Sequence, residues 1–83
     1  MDSHNEKYRQ MGLNISHYRK LRGLSQEELA GMVHISRGHL SHIEAPNMVS
    51  SFSIATLFDI SDALGIEPKL LFEFKAAQPR RDI

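Results

Sequence analysis

The chain contains no cysteine and no tryptophan. Without thiols it can carry neither a disulfide framework nor a thiolate metal site. No apolar run approaches the roughly 20 residues that span a bilayer. The opening MDSHNEKYRQ lacks the apolar core of a secretory signal. A soluble, cytoplasmic protein is therefore expected. No segment alternates with period two, so no sheet is expected. Paired catalytic carboxylates, a glycine-rich phosphate loop and a nucleophile elbow are all missing, which argues against an enzyme. The formal net charge is +0, far from the basic balance of most nucleic-acid binders. That charge is unevenly spread. Residues 1–38 hold six Lys and Arg against four Asp and Glu, and the remainder holds four against six.

What is present is a series of capped helix starts. Ser25 is three residues before Glu28, the spacing of a capping box, and Leu24 and Leu29 flank it in the register of a hydrophobic staple. The staple spacing recurs as Ile35 and Leu40 around Ser36, and as Phe52 and Leu57 around Ser53. It appears again as Ile66 and Leu71 around Glu67, with Pro68 at the favoured first helical position. Between these starts lie helical stripes: Leu29, Ala30 and Val33; Leu40 and Ile43; Leu57, Ile60, Ser61 and Leu64. An earlier helix is marked by Met11, Ile15, Tyr18 and Leu21, and Gly23 and Gly65 are stop signals. Only His34 separates Val33 from Ile35, so that turn must be sharp. The expected organisation is a flexible tail over 1–10, one all-α domain of five helices over 11–74, and a second flexible tail over 75–83. Phe58, Leu70 and Phe74 exceed what so small a core can bury and predict an apolar patch for a partner subunit.

His39 and His42 stand at i, i+3 with His34 close by. A structural zinc site wants four ligands, usually including cysteine, so no metal is expected.

Several motifs then fall in register together: Gly23-Leu24-Ser25-Gln26-Glu27-Glu28-Leu29-Ala30, Ile35-Ser36, Leu40-Ser41, Ile43-Glu44, Leu64-Gly65-Ile66 and Leu71-Phe72. Over residues 11–74 the chain resembles the phage-repressor and Cro type of helix-turn-helix domain. The resemblance implies a compact five-helix bundle that binds double-stranded operator DNA as a homodimer, without cofactor or membrane. It implies a positioning helix over 25–33 and a recognition helix over 36–45, whose N-terminal residues meet base edges in the major groove. The DNA-facing residues implied are Ser36, Arg37, Gly38, His39, Ser41 and His42. Gln26 matches a family glutamine that contacts a phosphate, and Arg19 and Glu44 match an internal ion pair. Lys7, Arg9, Lys20 and Arg22 are candidate helpers on phosphates.

The chain departs from the family pattern at His34, which occupies a turn position that tends to need positive φ. It also departs in the loop after Glu44, which has no Lys or Arg between Ala45 and Ser53. Gly38 is costly inside a helix and suits a close approach of DNA to the backbone. Among exposed polar types, Arg37 is best suited to direct readout, because a guanidinium can bind guanine O6 and N7 together. The neutral charge and the base-free loop keep a second expectation open, a protein-interaction module that uses the fold without reading DNA.

Overall fold

In the computed structural model, residues 4–48 and 50–73 are described. They form four α-helices, α1 (Asn5–Leu21), α2 (Gln26–Met32), α3 (Arg37–Glu44) and α4 (Ile54–Leu64), followed by a 3₁₀ helix, Pro68–Phe72. No strand occurs among these residues. The all-α class holds, and the count of five α-helices is corrected to four plus the 3₁₀ turn. Pro68 opens that turn without an N–H to donate, and the Leu70 N–H bonds to the Glu67 carbonyl in the i→i+3 pattern.

The three serine-capped starts form as the spacing predicts, whereas the Glu67 side chain makes no cap bond at the start of the 3₁₀ helix. Ser25 Oγ accepts from the Glu28 N–H, and a Glu28 carboxylate oxygen accepts from the Ser25 N–H. Ser36 accepts from the His39 N–H, and Ser53 from the Thr56 N–H. The inner member of each staple (Leu29, Leu40, Leu57 and Leu71) is fully buried, and the outer member (Leu24, Ile35, Phe52 and Ile66) packs half-buried against the core.

Three connections share one construction. Gly23, His34 and Gly65 each adopt positive φ. In each case the following residue's N–H reaches back to a carbonyl five residues earlier: Leu24 to Arg19, Ile35 to Ala30, Ile66 to Ser61. These are Schellman closures. The apolar residue that closes one helix is also the outer staple of the next. A single side chain thus sets both the exit and the entry angle, which makes the turns short. His34 adopts φ 61° where glycine would be unstrained.

The core joins Met11 and Ile15 of α1, Leu29, Ala30 and Val33, Leu40 and Ile43, Leu57, Ile60 and Leu64 of α4, and Leu71. Ser61 sits in it with its hydroxyl donating to the Phe58 carbonyl, so no buried polar atom is stranded there. Gly12 brings α1 against α3. A Cβ at this position would lie 1.8 Å from the Ile43 carbonyl oxygen. Leu21, expected on the inward face, is 70% exposed. It lies six residues past Ile15, about 240° around the helix at 3.6 residues per turn. The buried face instead continues to Arg19.

The first helix starts at Asn5, which corrects the expectation of a tail for residues 5–10. Contacts distant in sequence hold this turn. Arg9 Nε donates to the Pro46 carbonyl at 2.7 Å, and the Tyr8 and Phe52 rings meet edge to face with centroids 6.1 Å apart. The expected C-terminal tail, 75–83, and Phe74 lie outside the described residues.

Two stability predictions follow from this geometry. Arg19 and Glu44 are 7% and 6% exposed and form a bidentate pair, with Nε to Oε2 at 2.8 Å and Nη2 to Oε1 at 2.9 Å. Arg19→Met strands the carboxylate and should cost about 3–5 kcal/mol. Thermal unfolding checks this, and an unchanged midpoint contradicts it. His34→Gly removes a left-handed strain and should add roughly 0.5–1 kcal/mol. In a domain of this size that is a rise of several degrees in Tm, and a lower Tm would show that the unfolded-state entropy added by glycine outweighs the strain relieved.

Candidate nucleic-acid interface

The candidate surface is built from the α2–turn–α3 unit. Along α3 the pattern divides cleanly. Leu40, Ile43 and Glu44 are buried, and Arg37, Gly38 and His42 are exposed. His39 and Ser41 are half-buried at the border. Ser36 is exposed, with its hydroxyl oxygen engaged as the cap. Arg37 makes no hydrogen bond or ion pair among the described residues, so its five N–H donors are available. A Cβ on Gly38 would meet only Ser36 Oγ, at 4.0 Å. Nothing within the chain requires glycine at this position.

The buried ion pair fixes where this surface stands. Arg19 projects from α1 and grips Glu44, the last residue of α3. Its third arm, Nη1, donates to the Leu24 carbonyl at 2.7 Å, just ahead of the α2 cap. The hydrogen bonds to Glu44 hold the guanidinium pKa above its ordinary value, against the opposing effect of burial. Glu44 Oε1 accepts a further bond from Gln26 Nε2 at 3.0 Å. The sequence assigns Gln26 and Glu44 to separate roles, and the structure joins them. No local signal carries this link, because eighteen residues separate the partners.

The expected helper bases are unequally placed. Arg22 is turned to the end of α4, where Nε donates to the Leu64 carbonyl at 2.7 Å and Nη2 to Gly65 at 3.3 Å. Arg9 is held by Pro46 and by Glu6. Lys7 and Lys20 remain exposed. Among the described residues no three His, Asp or Glu side chains gather as a metal site. None of the described helices is long and apolar enough to cross a membrane.

The helix-turn-helix family model HTH_3 matches residues 15–71. The restriction-modification controller protein C.AhdI from Aeromonas hydrophila is 29% identical, over 78% of this chain and 96% of that one, with a TM-score of 0.71. The N-terminal DNA-binding domain of SinR from Bacillus subtilis is 33% identical, over 80% of this chain and 94% of that one, with a TM-score of 0.69. The hypothetical transcription factor NHTF from Neisseria, at 22% identity and a TM-score of 0.76 over 87% of this chain and 79% of that one, shares the fold. No curated protein sequence matches the chain. A match that spans most of the chain, from α1 through the 3₁₀ helix, together with an α2–turn–α3 unit of this build, places the protein in the helix-turn-helix family.

Proposed function

We propose that the protein is a sequence-specific DNA-binding transcriptional regulator. It binds a pseudo-palindromic operator as a homodimer, with α3 in the major groove. The observation that carries this reading is the α3 surface, where Arg37 is exposed and unengaged at the first helical position, beside a glycine that the fold itself does not require. In helix-turn-helix complexes the N-terminal part of the second helix meets base edges while the first helix crosses the backbone. Family membership supports the reading, as does SinR, 33% identical, known in complex with DNA. Arg37 reads a base, and Ser36, Gly38, His39, Ser41 and His42 complete the contact surface. Gln26 meets a phosphate. Phe58 is 48% exposed and Leu70 half-buried, as residues of a subunit interface would be before assembly.

A second reading keeps the fold and removes the DNA. The zero net charge favours it, and SinR, here 30% identical, also occurs in a complex with SinI protein. In that case the exposed face of α3 docks on a protein partner.

Competition binding with single-base operator variants separates the two. The dimer should protect half-sites about 10 bp apart, or one helical turn. Arg37→Ala should cost roughly 1–3 kcal/mol and relax preference at one position in each half-site. Gln26→Ala should weaken all sequences alike and leave the salt slope nearly unchanged, since no counterion-displacing charge is lost. If Arg37→Ala weakens every variant equally, Arg37 is a backbone anchor and the readout assignment fails.

A further inference from the structure

Gln26 sits at the first position of α2 and is half-buried. Its Nε2 donates to Glu44 Oε1 at 3.0 Å, and Glu44 is itself held by two bonds from Arg19. A glutamine on a helix surface ordinarily samples several rotamers, and ordering such a side chain on binding costs free energy each time. Here the bond to Glu44 already holds the amide nitrogen in the DNA-free protein. An amide with one N–H given to Glu44 keeps its second N–H for an outside acceptor. The bond to a carboxylate also polarises the amide, since charge-assisted bonds are stronger than neutral ones.

We propose that Glu44 is a positioning residue for DNA, acting through Gln26. The buried carboxylate presets the Gln26 carboxamide so that its free N–H meets a backbone phosphate as α2 crosses the duplex. Arg19 lies one step further back and sets Glu44. The ion pair that holds α1 to α3 therefore also aligns the backbone contact of α2 with the base contacts of α3. This inference rests on the DNA-binding reading.

The test compares wild type, Gln26→Ala, Glu44→Gln and the double variant on one selected duplex. Fluorescence anisotropy is measured well below the lowest melting temperature of the set. Gln26→Ala should weaken binding roughly five- to tenfold, the loss of one hydrogen bond. Glu44→Gln should weaken it by a similar factor, and the double variant by no more than the larger single loss. In the DNA-free protein, the Gln26 side-chain amide should give two well-separated proton signals in a ¹⁵N spectrum. They should collapse toward the usual solvent-exposed positions in Glu44→Gln. Should Glu44→Gln not fold, Glu44→Asp serves in its place, because it keeps a carboxylate for Arg19 and withdraws it from Gln26. Losses that multiply in the double variant, or Gln26 signals unmoved by the Glu44 change, overturn the positioning role while the DNA reading stands. A wild type that binds no duplex overturns both.

Discussion

Two charges are held out of water where α1, α2 and α3 meet, and the arrangement of the helix-turn-helix unit depends on how they are satisfied. Taking a guanidinium and a carboxylate from solvent costs several kcal/mol per ion, and attraction alone recovers that only with good geometry. The geometry here is complete. Arg19 makes two bonds to Glu44 and one to the Leu24 carbonyl, and Glu44 takes its third bond from Gln26. Among the described residues no buried side-chain polar atom lacks a partner. The contrast with Arg9 and Glu6 is instructive. That pair is closer, at 2.6 Å, but exposed, and exposed pairs contribute about 0–1 kcal/mol. Distance does not rank the two; burial does. A pair of apolar residues could fill the same space at little cost or none. What an apolar pair lacks is direction. The carboxylate ends α3, the carbonyl precedes α2 and the carboxamide begins it, so the bonds fix the relative placement of two short helices that have few packed side chains of their own.

The second constraint is the economy of the turns. Leu24, Ile35 and Ile66 each close one helix and staple the next. The α2–turn–α3 unit is therefore held at the turn by apolar packing and at its far end by the ion pair. His34 lies at the α2–α3 turn and bears the strain of a side chain at positive φ.

Features with a local cause were legible in the sequence. Capping residues, staple spacing and stop signals each depend on neighbours within about five positions, and they predicted where α2, α3 and α4 begin. The inward stripes followed from helical period, except at Leu21, where the apolar residue nearest the expected face was the wrong one and a charged residue held the buried position. The first turn of α1 was not legible, because its stabilising partners, Pro46 and Phe52, come from the far side of the chain. No local signal accounts for Gly12 within α1. Only the position of the Ile43 carbonyl shows why a side chain is excluded there. The Arg19–Glu44 pair was legible through family resemblance alone. The bond from Gln26 to that pair, and the use of Arg22 at the end of α4, join residues 18 and 42 positions apart and leave no local signal.

In the DNA-binding reading proposed above, the outward face of α3 distinguishes one DNA sequence from another. Its exposed residues carry one fixed charge, Arg37, which suits selective contact better than indiscriminate attraction to phosphate. Selection of bound duplexes from a random-sequence pool at low salt tests this most directly. Successive rounds should converge on an inverted repeat whose half-sites share a guanine at a fixed position. A pool that stays random while the protein remains folded would contradict that reading.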